Sequence, residues 1–175
     1  MNIQFRTIDE LRELVAISGE IDGEGFGWEW DSWNERPFER RETLLAELLE
    51  NLPKGIAESA PILTDVRTRD GFLRTFYDLV ETGETEQVSE LLEGLLEFAQ
   101  GSKGEVRGMA LVCWAGCMWL LGNSDGIELI DEVEDVADIS LGQLLQIAKR
   151  NNVPSSVWGS SLKAVSLQAC LQGAV

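Results

Sequence analysis

The chain contains no histidine. Without an imidazole, Ser–His and Cys–His nucleophile pairs are impossible, and so are the commonest zinc ligand sets. Cysteine is nearly as scarce: Cys113, Cys117 and Cys170 form an odd set. The first two stand inside an apolar run, which fits reduced thiols rather than a disulfide framework. Basic residues are few, 14 against 31 Asp and Glu, for a formal net charge of −17. That charge repels a phosphate backbone or an anionic membrane surface over a Debye length of about 8–10 Å at ordinary salt. No direct binding to nucleic acid or membrane is expected. Long apolar stretches are missing as well, since Met109 to Leu121, the longest, falls short of the ~18–20 residues that span a bilayer. The opening "MNIQFRTIDELRELV" carries acids early and lacks the layout of a secretory signal. The expected location is the cytoplasm.

What is present describes one acidic helical domain. With 175 residues and 44% hydrophobic content, the chain is long enough to bury a core without disulfides or metals. Residues 1–60 read as N-terminal helices with a Gly/Trp-rich segment between them, and 61–175 as stacked helical hairpins. Thr7 and Glu10 fit a capping box opening a helix that runs to about Ser18. Leu44, Leu45, Leu48, Leu49 and Leu52 mark a second helix, ended by Pro53. Phe72, Leu73, Phe76, Leu79 and Val80 mark a third, with Gly83 as a left-handed cap. Val88, Leu91, Leu92, Leu95 and Leu96 line the inner face of a fourth. The run Met109–Leu121 is the central buried helix, ending at Gly122. Beyond it, Ser124 is expected to cap a helix with Ile127, Ile130, Val133 and Ala137 inward, and Ser140 one with Leu141, Leu144, Leu145 and Ala148 inward. A last helix through Leu162, Val165, Leu167 and Cys170 holds no acid and should pack on the body.

Aligning Gly83 with Gly122, an offset of 39 residues, superposes Phe72 on Leu111, Leu73 on Val112, Phe76 on Ala115, Leu79 on Met118, Val88 on Ile127 and Leu91 on Ile130. The expected fold is therefore mainly α, its hairpins stacked in a tetratricopeptide-like manner around the buried helix. Phe26, Trp28 and Trp30 alternate with Gly27, Glu29 and Asp31, and Ile3 and Phe5 alternate likewise. This is the period of a small β-ribbon near the N-terminus.

The stretches "TDVRTRDGFLRTFYD" and "ALVCWAGCMWLLGNSDGIELIDEVEDVADISLGQLLQIAKRNNVPSSVW" carry an Arg-Asp before an apolar helix, a Trp-rich apolar helix ending in Gly, and a Ser-Leu opening a later helix. In these features, residues 61–158 resemble the helical C-terminal part of an actinobacterial family described only as domain of unknown function 4192. The resemblance implies a helical fold and an actinobacterial or actinophage origin, with no reaction and no catalytic residues to carry over. The helix after Gly122 departs from that pattern, being acidic.

No motif points to catalysis, a cofactor or a metal. Cys113 and Cys117, one helical turn apart, read as core thiols. Glu93 with Glu97, and Glu132 with Asp135, lie on helix faces expected to be solvated, where no carboxylate acquires the raised pKa of a general acid. The segment "GEGFG" is lined with acids and cannot cradle phosphate. Its partial likeness to a calcium loop at Asp22, Glu24 and Gly27 fails at Phe26 and at Trp33, where a bidentate glutamate is needed.

Charge remains. From Asp78 to Glu97 there are seven acids and no Lys or Arg, and from Asp125 to Asp138 again seven with none. Glu86, Glu90, Glu93 and Glu97 form one row at helical spacing; Glu128, Asp131, Asp135 and Asp138 form another. Side by side, the two rows would make a broad negative surface that attracts a basic partner. Trp28, Trp30 and Trp33 serve either as core or as anchors for that partner. The expectation is a non-catalytic protein-binding module for a basic, nucleic-acid-binding type of protein, such as the DNA-mimicking inhibitors of mobile elements. The alternative is a helical-repeat scaffold that holds a peptide in a groove, with its acidity incidental.

Overall fold

The structure, a computed structural model, describes residues 1–22, 38–56, 59 and 63–173. It is mainly helical. α1 (Ile8–Val15) opens with the expected capping box: Glu10 N–H donates to Thr7 Oγ1 at 3.3 Å, and Thr7 N–H donates to the Glu10 carboxylate at 2.8 Å. α2 (Phe38–Asn51) runs into a 3-10 turn, Leu52–Lys54, that begins with Leu-Pro. α3 (Val66–Thr82) ends at Gly83 and α4 (Thr85–Gly101) follows at once. α5 (Gly104–Leu120) is succeeded by Gly122 and then α6 (Asp125–Ile130). α7 (Ser140–Arg150), α8 (Ser155–Ala164) and α9 (Leu167–Gln172) complete the described chain. Gly83 and Gly122 stand at φ of +79° and +85°, the left-handed conformation that closes a helix at little cost only for glycine.

α5 is the axis of the fold. Every residue from Val106 to Leu120 is buried, because α3, α4, α6, α7, α8 and a 3-10 turn at Glu134–Val136 all pack against it. An α-helix apolar on all sides needs neighbours on all sides. The pairs 39 residues apart keep their inward positions: Phe72, Leu111, Leu73, Val112, Phe76, Ala115, Met118, Val88, Ile127, Leu91 and Ile130 are buried, and Leu79 is half-buried against the same core.

Several expected boundaries differ. The helix after Gly122 does not reach Ala137: it stops at Ile130, turns at Asp131 and Glu132, and resumes as the 3-10 turn. Acids crowded at a helix C-terminus oppose its macrodipole, and this stretch carries no Lys or Arg of its own. Its backbone instead presses onto α5, where an added Cβ at Gly108 would lie 2.1 Å from the Asp135 carbonyl oxygen. Ser124 makes no side-chain cap; Asn123 Oδ1 accepts from Asp125 N–H at 2.8 Å in its place. Ser140 is the first helical residue rather than the cap, which is Ile139. Leu144 is 61% exposed rather than inward, so α7 meets the core through Leu145 and half-buried Leu141 and Ala148. Ala137 is exposed, and Val165 breaks the last helix in two.

α1 ends at Val15, short of Ser18, because another contact claims its terminal carbonyls. Arg107, buried on α5, donates to Val15 O, to Ile17 O at 3.2 Å and to Asp135 Oδ2 at 2.8 Å. A guanidinium at a helix C-terminus satisfies orphan carbonyls and the macrodipole together. The chain then pairs briefly with the α4–α5 link, through Ile21 N–H to Gly101 O at 3.1 Å and Lys103 N–H to Ile21 O at 2.8 Å. This isolated parallel bridge is the extent of β pairing among the described residues. The expected ribbon's second half, around Phe26 to Trp30, lies outside them. Ile3 and Phe5 do alternate with exposed Asn2, Gln4 and Arg6.

α4 packs against the first 3-10 turn so closely that a methyl at Gly94 would lie 2.0 Å from the Leu52 carbonyl oxygen. Alanine is intrinsically the better helix former by up to about 1 kcal/mol, but the clash is with backbone, which cannot rotate aside. Gly94→Ala should therefore lose about 1–3 kcal/mol in urea unfolding. Unchanged or increased stability would contradict this close approach.

Candidate functional site

On α4 the inner face, Val88, Leu91, Leu92, Leu95 and Leu96, is buried, and Glu86, Glu90, Glu93 and Glu97 are exposed on the opposite side. At about 1.5 Å rise per residue they form a ridge roughly 16 Å long. Glu93 pairs with Arg6 at 2.6 Å. Among the described residues, Glu86, Glu90 and Glu97 have no cationic partner within salt-bridge distance.

The second row differs. Glu128 is paired with Lys149 at 3.1 Å, Asp131 with Arg150 at 3.9 Å, and half-buried Asp135 with Arg107 at 2.8 Å. Asp138 stands exposed beyond the 3-10 turn. These bases come from α5 and α7, so the lack of Lys and Arg within the run itself conceals their neutralising effect. Nor do the two rows merge: α1 packs on both α4 and α6. Its flanks send Arg6 to Glu93, whose hydrogen bond raises the guanidinium pKa further, and Arg12 to Glu132 at 3.3 Å. Of the two rows, the one on α4 thus keeps three carboxylates without a salt bridge among the described residues, and the other keeps Asp138.

Residues not singled out from the sequence extend the ridge. An open cleft of about 640 Å³ beside it is lined by Glu50 and Leu49 of α2, Pro53 and Lys54 of the 3-10 turn, and Glu84, Glu86 and Glu90. Glu84 falls inside the acid run already recognised, but Glu50 lies in a separate helix and only the α4 packing brings it here. On the other flank of the ridge, a cleft of about 520 Å³ is lined by residues 2–6, Glu10, Leu11, Ser89, Leu92, Glu93, Trp114 and Met118. Trp28, Trp30 and Trp33 lie outside the described residues.

Elsewhere the polar interior is structural. Arg41 Nε donates to Asp65 Oδ2 at 3.0 Å and its NH1 to the Leu171 carbonyl at 3.3 Å; Thr68 Oγ1 donates to the same Asp65 oxygen at 2.6 Å. This knot joins α2, α3 and α9. No cluster of three or more metal-ligating side chains occurs among the described residues, and no helix there is long and apolar enough to cross a membrane.

The thiols follow their burial. Desolvation pushes Cys113 up to about 12 and Cys117 well above the usual thiol range; Cys170, half-buried, is raised by desolvation and by Asp70. Folded pKa values above the unfolded ones mean that this stabilising contribution is complete below the unfolded value of 9.0 and is lost as pH rises through the folded one. At neutral to mildly alkaline pH a thiol reagent should modify Cys170 in the folded protein, and Cys113 and Cys117 only after unfolding. Three thiols titrating together in the native state would contradict the burial.

Comparison with protein-family models, with curated proteins and with solved structures returns no match for this chain.

Proposed function

We propose that this protein is a non-catalytic, acidic binding module whose α4 ridge engages a basic, nucleic-acid-binding type of partner in the cytoplasm. The observation that carries this reading is the ridge itself: four exposed carboxylates on one helix face, three without a cationic partner among the described residues. Leaving carboxylates uncompensated adds self-repulsion in a chain of net charge −17, and a basic partner relieves it. Evenly spaced charge on a rigid helix suits the DNA-mimic form of this reading, an inhibitor carried by a mobile element. Four charges over roughly 16 Å are sparser than a DNA strand, which carries one per ~3.4 Å. Glu50 and Glu84 beside the ridge raise the local density.

The tetratricopeptide-like stacking belongs to the same proposal. It is supported by the matched left-handed caps at Gly83 and Gly122 and the shared inward positions, although α6 has only 6 residues where α4 has 17. The second reading, a scaffold holding a peptide in a groove, is favoured by the cleft floored by Leu92, Trp114 and Met118.

Salt separates the two. Added to a complex of an arginine-rich DNA-binding peptide with a labelled duplex, the protein should displace the duplex at about 50 mM salt and lose tenfold or more of that potency by about 200 mM, as multi-charge contacts do. Failure to displace the duplex at low salt would contradict the electrostatic reading.

A further inference from the structure

The chain divides its charge unevenly. All 31 Asp and Glu and 11 of the 14 Lys and Arg fall in residues 1–138; residues 139–175 carry Lys149, Arg150 and Lys163 and no acid. Each of these bases reaches an acid on another element: Lys149 to Glu128 at 3.1 Å, Arg150 to Asp131 at 3.9 Å, and Lys163 to Glu81. The C-terminal helices are therefore close to neutral in a chain of net charge −17. They also hold Leu144, Ile147, Val157 and Leu167, four of the seven exposed large hydrophobic residues among those described. Leu144 and Ile147, 61% and 52% exposed, stand three residues apart and so share the outward face of α7. Ser140, Gln143, Arg150 and Asn151 complete that face, and all are exposed. Gln143 and Asn151 turn their side-chain N–H groups back onto the chain, to Ala137 O at 2.9 Å and Ile147 O at 2.8 Å. The face is thus apolar at its centre, with donors at its margin already held.

We propose that this face of α7 is a self-association surface, on which two copies of this chain pair their α7 helices antiparallel about a two-fold axis. The occupant follows from charge. Two bodies of net charge −17 repel each other, and they meet at least electrostatic cost where carboxylates are fewest. That condition favours the acid-free helices and disfavours the α4 ridge. An axis between Leu144 and Ile147 sets Leu144 of one copy against Ile147 of the other. Arg150, its side chain 70% exposed near one end of the helix, then comes toward exposed Asp138 just beyond the other end in the second copy. Symmetry repeats the pair. At about 1.5 Å per residue, Arg150 and Asp138 lie roughly 7 and 11 Å along the helix from the axis, a difference that an arginine side chain spans. The contact uses no α4 carboxylate, so it stands apart from the function proposed above.

Two aliphatic residues a side make a small, transient class of interface, so the dimer should form with a dissociation constant on the order of 100 μM. Sedimentation equilibrium of the full chain up to about 1 mM measures it. Leu144→Glu and Ile147→Glu should each weaken association about tenfold or more, with urea unfolding unchanged because both side chains are exposed. Glu86→Lys on α4 should not weaken it. Raising salt from about 50 to about 300 mM should hold or strengthen the dimer, because screening relieves the repulsion between copies. Binding through the α4 ridge responds to salt in the opposite direction, which keeps the two proposals separable. A chain that stays monomeric to about 1 mM would overturn the proposal, and so would association that survives both glutamate variants. Association lost on adding salt or in Glu86→Lys would assign it to the basic helices of one copy meeting the acidic ridge of another, and would also overturn the α7 pairing.

Discussion

Replacing Arg41 with leucine should destabilise the protein by about 3–5 kcal/mol, the usual cost of leaving a buried charge without its partner. Asp65 is fully buried, and its Oδ2 holds both Arg41 Nε and the Thr68 hydroxyl. Without the guanidinium, the carboxylate is left buried without its charge partner, which costs folding free energy. Arg41→Leu combined with Asp65→Leu should recover part of the loss, because the unpaired charge leaves with its partner. Arg41 also holds the Leu171 carbonyl, so amide exchange in α9 should accelerate in the single variant. Urea unfolding measures the first effect. A double variant no more stable than the sum of the two single losses would show that the groups are not coupled.

Trp114→Ala should cost a similar amount, about 3–5 kcal/mol, as truncation of a buried aromatic ring does. The ring is 2% exposed at the middle of α5, and the helices around it are anchored elsewhere by their own contacts and relax only partly into the space. The expected signature is a lower urea midpoint with an unchanged slope. A loss below about 1 kcal/mol would mean that this face of α5 is not enclosed by the chain's own helices.

The sequence foretold best what depends on local chemistry and periodicity. The Thr7–Glu10 capping box, the left-handed Gly83 and Gly122, the inner faces of α3 and α4 and the buried α5 all occur as read. Each is set by residues within a turn or two of one another. The errors arose where a distant contact decides. Arg107 meets the end of α1 from about 90 residues further along the chain. The backbone at Asp135 settles on Gly108 instead of continuing a helix. Leu144 fits an inward stripe by spacing, yet α7 is rotated so that Leu145 meets the core. The candidate surface follows the same division. The α4 carboxylates are exposed as their spacing implied, whereas the neutralisation of Glu128, Asp131 and Asp135 depends on bases that only the tertiary fold delivers.

In the proposed function, the position of the carboxylates, not net charge alone, makes the binding surface. Two variants with the same change in net charge test it most directly: Glu86→Lys with Glu90→Lys on α4, and Glu128→Lys with Asp131→Lys on α6. Binding to the arginine-rich peptide is measured at low salt after urea unfolding has shown both variants folded. The α4 variant should bind at least about tenfold more weakly than the α6 variant, chiefly through slower association and with a shallower salt dependence. Equal weakening of the two would contradict the claim, because net charge alone would then account for the binding.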